Sequence, residues 1–175
     1  MGVSSFVEGL ARWLAYLGGV VLFVVSILTV VSVIGRAFIF AGLSPIAGDY
    51  ELVEALSGFA VFCFLPICQL RRGHVIVDLF TNAMGPRLVR WVDALSEIIM
   101  AIVLIVIAWR LTLGFQDKLR YGETSFIRQF PIWWPYFACL FPAYAAALTG
   151  VYTSALAVRS VVTGRDLLPE HQGVE

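Results

Sequence analysis

The chain has 175 residues, of which 60% are hydrophobic and 14% are charged, and its mean hydropathy is +0.88. A soluble domain of this length would carry about a quarter charged residues. The composition therefore excludes an ordinary soluble fold and indicates one compact membrane domain. The formal net charge is zero, which argues against nucleic acid as a partner.

Four long apolar stretches predict four transmembrane helices in a single domain of residues 1–164, followed by a short cytoplasmic tail of residues 165–175. The first stretch lies between Arg12 and Arg36 and is longer than the apolar core of a signal peptide, so we expect it to be retained. The predicted spans cover residues 13–34, 52–70, 91–113 and 135–158.

Residues 74–85, between the second and third predicted spans, have an amphipathic pattern at helical spacing. The apolar face holds Val75, Ile76, Leu79, Phe80, Ala83 and Met84, and the polar face holds His74, Asp78, Thr81 and Asn82. This pattern suits a helix that lies in the membrane interface, and equally a short helix packed on another protein. The predicted fold class is an all-α integral membrane protein with four transmembrane helices plus interfacial amphipathic helical segments.

The distribution of cations predicts the orientation. With four spans, both termini lie on one side, and cytoplasmic segments carry an excess of Lys and Arg. The side with the termini holds Arg12, Arg71, Arg72, Arg87, Arg90, Arg159 and Arg165. The opposite side holds Arg36, Lys118, Arg120 and Arg128, with Arg110 near the boundary. Seven cations against five favour cytoplasmic termini.

A basic motif follows the second span. Arg71 and Arg72 precede His74, and Asp78 lies four residues after His74, so the last two side chains can meet on a helix. The arginines could hold lipid phosphates or a partner's carboxylates. One interpretation is a docking or lipid-anchoring corner, and the other is ordinary positive flanking sequence.

A second motif precedes the fourth span. It comprises Gly122, Glu123, Thr124 and Ser125 and, a few residues later, Pro131 and Trp133. Gly122 permits a sharp turn, and prolines stiffen the return into lipid. The motif contains no arrangement of nucleophile and base. It is either a partner-binding loop or a rigid connector that starts the fourth span correctly.

The charges Glu54, Asp93, Glu97 and Arg110 lie toward the ends of the predicted spans. An ion relay would need several such groups near the membrane centre. We therefore expect structural pairing, within the chain or with another chain. Because only the 12 residues 98–109 are uncharged in the third span, either Glu97 or Arg110 approaches the hydrocarbon or the membrane is thinner there.

No cofactor or metal site and no enzyme activity is predicted. The three cysteines lie in apolar context and suit buried thiols. His74 and His171 lie at the aqueous edges, where they cannot form an intramembrane haem pair. A chain without charges deep in its spans is poorly equipped to move a polar solute alone, which favours an accessory subunit.

These motifs, in this order on a four-span chain, resemble the small membrane subunit of tripartite ATP-independent periplasmic (TRAP) transporters. The similarity covers residues 10–160 and rests on Arg72-Gly73-His74-Val75-Ile76-Val77-Asp78, on Gly122-Glu123-Thr124-Ser125 and on Pro131 with Trp133. In contrast, Phe126-Ile127-Arg128 is an unremarkable stretch.

The resemblance implies a scaffolding role in the bacterial inner membrane. It implies a large multi-span subunit of elevator type, a periplasmic substrate-binding protein, sodium-driven uptake of a carboxylate-type solute and contact with membrane lipids. The residues expected to contact a partner or lipid are Arg71, Arg72, His74, Asp78, Glu97, Arg110, Gly122, Glu123, Ser125, Pro131 and Trp133. The alternative is a membrane anchor of a redox enzyme complex, since abundant aromatic side chains could line a quinone pocket.

Overall fold

The computed structural model describes residues 3–71 and 86–163, and within these ranges it contains four long helices. They are α1 (Val3–Ala37), α2 (Asp49–Leu70), α3 (Pro86–Tyr121) and α4 (Trp133–Thr163). Each contains a segment long and apolar enough to cross a membrane. The predicted all-α fold with four transmembrane helices is confirmed. The predicted interfacial segment 74–85 and the tail 165–175 lie outside the described residues.

The helices reach beyond the predicted spans. α1 begins at Val3, about ten residues before the predicted start, because a helix can continue past an exposed charge such as Glu8 or Arg12 once it leaves the hydrocarbon. α3 continues to Tyr121, eight residues past the predicted end of its span (121 − 113 = 8). A short 3-10 turn (Ile39–Ala41) follows α1.

The helices are arranged in the order α1, α2, α4, α3. α2 packs against α4 in the centre, α1 packs along α2, and α3 packs along α4. Extensive contact between α2 and α3 does not occur in the described part of the chain. In its most apolar window α4 is 44% buried, whereas each of the other helices is 17% buried. The outer helices α1 and α3 therefore present apolar surface to the membrane or to a partner.

Small residues allow α4 to approach its neighbours closely. The buried face of α4 includes Ala143, Ala146, Ala147, Gly150 and Ala157. A Cβ added to Gly150 would lie 3.2 Å from the Cα of Ala101 on α3. Lipid tails are as apolar as the helices, so the hydrophobic effect does not bring transmembrane helices together. They associate through close van der Waals packing, which small residues allow.

Exposed Trp and Tyr residues lie near both ends of the bundle. Trp and Tyr side chains favour the headgroup level, where the ring is in apolar and the polar atom in aqueous surroundings. At the end of the bundle that holds the chain termini, the exposed rings are Trp13, Tyr16 and Trp91. At the opposite end they are Tyr50, Tyr121 and Trp134. The two groups lie on either side of the apolar surfaces of α1 and α3, and the exposed Trp109 and Tyr144 lie between the groups.

Candidate functional site

We call the end of the bundle that holds residues 38–48 and 122–132 the loop end, and the opposite end the terminus end. The loop end holds the predicted motif around Gly122 and Glu123, and the terminus end holds Arg71 and Glu97. Arg72, His74 and Asp78 lie outside the described residues. The predicted contact residues that the structure describes therefore belong to different parts of the bundle.

One carboxylate at the start of α2 fixes the turn that follows α3. Glu51 accepts a hydrogen bond from the hydroxyl of Ser125 at 2.5 Å. It also accepts bonds from the backbone N–H groups of Ile127 at 2.9 Å and Arg128 at 3.1 Å. The Nε of Arg128 donates to the carbonyl of Ala47 at 3.0 Å. Two loops that are far apart in sequence are thus joined by one acid.

The segment 122–132 is a tight hairpin. The N–H of Ser125 donates to the carbonyl of Phe130 at 2.9 Å, and that of Ile132 donates to the carbonyl of Glu123 at 3.0 Å. Gly122 opens the hairpin with φ at 61°, a left-handed conformation that glycine adopts without strain. The predicted turn at this glycine is confirmed by its backbone geometry.

The hairpin is also fastened to α3 and α4. The ammonium of Lys118 donates to the carboxylate of Glu123 at 2.5 Å. Pro131 forms a bridge with Thr124, and the ring of Trp133 meets Phe115 edge-on at 6.3 Å between centroids. Gly122, Glu123, Ser125, Pro131 and Trp133 thus lie in one compact unit. The structure brings these five predicted residues together.

The stretch that is unremarkable in sequence forms the tip of the hairpin. Phe126 is 99% exposed and Ile127 is 61% exposed, although the backbone at Ile127 is held by Glu51. Sequence reasoning missed both the tip and the acid that positions it. The available signal was weak, because an acid in the first turn of a helix ordinarily needs no explanation beyond the helix dipole.

A second acid joins α1 to α2 at the loop end. The buried hydroxyl of Ser32 donates to the carboxylate of Asp49, and the guanidinium of Arg36 lies 3.6 Å from the same carboxylate. Gly35 lies against the backbone of Ser44, where an added Cβ would come within 2.6 Å of the Ser44 carbonyl oxygen. These contacts fix the start of α2, and with it the position of Glu51.

A cavity of about 510 Å³ opens at the loop end between α2 and α3. The hairpin covers it from above, and α4 forms its floor. Glu51, Glu54 and Lys118 contribute charged groups, and aromatic and aliphatic side chains form most of the remaining wall. It is an amphipathic groove whose charged groups belong to the ends of the helices.

A buried polar cluster lies at the terminus end. The amide Nε2 of Gln69 donates to the carboxylate of Glu97 at 2.8 Å and contacts the hydroxyl of Thr153 at 3.1 Å. Glu97 is 7% exposed, and its contacts include this pair. The cluster joins α2, α3 and α4. Glu97 therefore faces the interior of the bundle.

Arg110 has the opposite environment. It is exposed on α3, and among the described residues it has no ion-pair or hydrogen-bond partner. It lies 11 residues before Tyr121, about 16 Å along the helix. Arg71, in contrast, is exposed directly after α2, where its N–H donates to the carbonyl of Ile67 at 3.0 Å.

The described residues include no group of three His, Cys, Asp or Glu side chains that could hold a metal ion. Cys63, Cys68 and Cys139 are free thiols. The chemistry of both ends is that of hydrogen bonding, ion pairing and apolar contact. The arrangement is suited to holding helices and partners in place.

Comparison with known proteins identifies the family. The model of the DctQ component of tripartite ATP-independent periplasmic transporters matches residues 25–160, more than three quarters of the chain. No curated protein and no solved structure matches significantly. This family consists of transporter components, which favours the transporter interpretation over the redox-anchor alternative. The chain belongs to the DctQ family and is a small permease subunit of a TRAP transporter, a multi-pass protein of the inner membrane.

Proposed function

We propose that this subunit is the fixed scaffold for a large elevator-type membrane subunit in sodium-coupled, binding-protein-dependent uptake of a carboxylate-type solute. The observation that carries the proposal is the distribution of charge. In the described part of the chain, Glu97 is enclosed by other helices and the remaining acids lie near helix ends, while α1 and α3 present wide apolar surfaces. Such a chain suits bracing a neighbour better than conducting a solute.

A scaffold has to keep its shape while its neighbour moves. Packed small residues resist sliding, because interlocked helices have few alternative arrangements of similar energy. The bonds from Glu51 and Asp49 fix the loop end, and the cluster around Gln69 fixes the terminus end. These three attachments support a rigid-body role.

We propose that the loop end faces the periplasm and that both termini are cytoplasmic, as the excess of cations at the terminus end favours. In this orientation the hairpin tip projects toward the substrate-binding protein. Phe126 and Ile127 are exposed on a backbone that is already ordered, so little entropy would be lost when they contact a partner. The tip is our candidate for contact with the binding protein.

Arg110 is our candidate for contact with the large subunit. A cation within a transmembrane helix rarely faces lipid and usually pairs with an acid or reaches the headgroups. No acid of the described residues pairs with Arg110. A carboxylate on the large subunit would complete this pair and fix the register between the two proteins.

The test is co-expression with the large subunit and the binding protein, followed by reconstitution into liposomes with an imposed sodium gradient. We expect a one-to-one membrane complex and uptake of radiolabelled organic acids that requires all three proteins and sodium. A chain that forms a self-sufficient oligomer and transports alone would contradict the scaffold role. Uptake without a sodium gradient would contradict only the proposed coupling.

Two variants locate the contacts. Glu123→Ala should reduce uptake by up to about fivefold while membrane insertion is unchanged, because it removes the exposed ion pair with Lys118 at the base of the hairpin. Arg110→Ala should reduce recovery of the large subunit, whereas Arg120→Ala, at another exposed cation of α3, should not. Equal recovery from the two arginine variants would contradict the assignment of Arg110.

A further inference from the structure

The groove at the loop end lies between two helices that do not pack extensively on each other. α2 and α3 both pack on α4, and they meet near the terminus end through Gln69 and Glu97. At the loop end the groove lies between them, and α4 contributes Tyr136 and Cys139 to its wall. The groove is therefore a place where helix-to-helix contact is missing.

One face of α2 lines the groove along its length. Glu51, Glu54, Gly58 and Phe62 are spaced by three or four residues, so they lie on the same side of the helix. At about 1.5 Å per residue, this face is about 16 Å long. It passes from the charged start of the helix to an apolar level at Phe62.

Gly58 lies at an open part of the groove wall. A Cβ at Gly58 would have no neighbouring heavy atom within 4 Å, so the glycine is not required for close packing inside this chain. A glycine inside a helix costs roughly 1 kcal/mol relative to alanine. The open space beside it is lined by protein on several sides and belongs to the groove.

The three charged side chains that line the groove differ in how many hydrogen-bond or ion-pair partners they have among the described residues. The carboxylate of Glu51 is occupied by the hairpin. Glu54 also lines the groove but has no hydrogen-bond or ion-pair partner among the described residues. The ammonium of Lys118 has three protons, and its bond to Glu123 uses one of them. An acid and a partly satisfied cation are thus available to a ligand.

The geometry points to a bound phospholipid with a primary-ammonium headgroup, such as phosphatidylethanolamine. Its ammonium would pair with Glu54 and its phosphate with Lys118. One acyl chain would run past Gly58 toward Phe62 and Cys139, between α2 and α3. The lipid would replace the contact that these helices lack at this end.

Several features favour this occupant over others. The charged groups lie at the helix ends, where headgroups are found, and the apolar wall lies deeper in the bilayer. An anionic headgroup without an amine would face the carboxylates of Glu51 and Glu54, which repel it. A soluble cation would leave the apolar floor unfilled. The volume of about 510 Å³ lies within the usual range of about 300–1,000 Å³ for ligand sites.

The test is native mass spectrometry of the full chain in detergent, titrated with dioleoyl phosphatidylethanolamine, phosphatidylglycerol or phosphatidylcholine. We expect phosphatidylethanolamine to be retained about tenfold more strongly than phosphatidylglycerol, as expected for one favourable charge pair. Glu54→Gln should remove this preference, whereas Asp117→Asn, at an exposed acid that does not line the groove, should keep it. Equal retention of the two lipids by the natural chain would overturn the proposal.

A groove-filling variant gives an independent test. Gly58→Leu should displace the lipid, because its side chain enters the open space without meeting other atoms at Cβ. Gly19→Leu is the matched control, since Gly19 is also an exposed helical glycine with open space around it, but on α1. Equal lipid retention by the two folded variants would overturn the proposal. The proposal would also be overturned if the Gly58→Leu chain kept the lipid but no longer bound its membrane partner. That result would mean that a protein, not a lipid, occupies the groove. Should Gly58→Leu fail to fold, Glu54→Gln still decides.

Lipid binding in the groove requires membrane insertion but not the transporter mechanism. Lipid retention is measured on the isolated chain, whereas the scaffold role is tested by uptake with all three proteins. A negative result for lipid binding therefore does not contradict the scaffold role, and a negative result for the scaffold role does not contradict lipid binding. If both hold, Glu54→Gln should also lower the thermal stability of the chain in phosphatidylethanolamine but not in phosphatidylglycerol, because a bound ligand stabilises the folded state.

Discussion

The space between α2 and α3 differs at its two ends: a buried polar cluster fills one end, and an open groove lies at the other. At the terminus end, Gln69 spans the gap and bonds to Glu97 and Thr153 in a buried cluster. At the loop end, Glu54 and Gly58 face open space. In hydrocarbon, apolar surface alone does not bring helices together. At the terminus end a polar side-chain bond links the two helices across α4, and at the loop end, where the described residues show no such bond, a groove lies between them.

The largest effect is expected when the hydrogen bond from Gln69 to Glu97 is removed. Gln69→Leu keeps the size of the side chain but takes away the amide that donates to Glu97. Hydrogen bonds in membranes average about 0.6 kcal/mol, but bonds to charged groups contribute about 1.5–3 kcal/mol. We expect a loss of about 2 kcal/mol in the free energy of unfolding, measured by reversible unfolding in mixed detergent. Gln116→Leu, at an exposed position of α3, should change it by less than about 0.5 kcal/mol. Equal effects would show that the cluster does not close this end.

Two neighbouring glycines on α1 allow substitution at a closely packed position to be compared with substitution at an open one. A Cβ on Gly18 would lie 2.9 Å from the Cβ of Cys63, whereas one on Gly19 would meet nothing within 4 Å. Overpacking costs about 1–3 kcal/mol, and replacing a helical glycine by alanine gains about 1 kcal/mol. Gly18→Ala should therefore destabilise the chain by about 1 kcal/mol, and Gly19→Ala should stabilise it by up to about 1 kcal/mol. The same unfolding measurement compares them, and similar values would mean that α1 does not pack closely on α2.

Much of the fold is visible in the sequence. The four spans follow from apolar length, and Gly122, Glu123 and Ser125 lie together in space because they are adjacent in the chain. The opposite directions of Glu97 and Arg110 also follow from helical geometry, since 13 residues rotate them about 140° apart. These features depend on local periodicity, which a single sequence contains.

The features that sequence reasoning missed depend on contacts between distant segments. Glu51 and Ser125 are 74 residues apart, and Gln69 and Thr153 are 84 apart. An acid at a helix start and a glutamine near a helix end are both common, so neither predicts its partner. The groove is harder still to predict, because its wall is formed by residues of α2, α3, α4 and the hairpin, which are distant in sequence. Gly58 could equally have been a close-packing glycine such as Gly18.

The smallest expected effect is local and concerns the hairpin. Glu51→Gln replaces the charged carboxylate that accepts hydrogen bonds from the N–H groups of Ile127 and Arg128 by a neutral amide. Because these bonds become weaker, hydrogen exchange at the two amides should become several-fold faster. The rest of the bundle should keep its protection, because the helices do not depend on the hairpin for their packing. Glu54→Gln is the matched control, three residues along the same helix and without a bond to the hairpin. If both variants loosen the hairpin equally, its order comes from its own backbone bonds and from Lys118, and the loop end is rigid without help from α2.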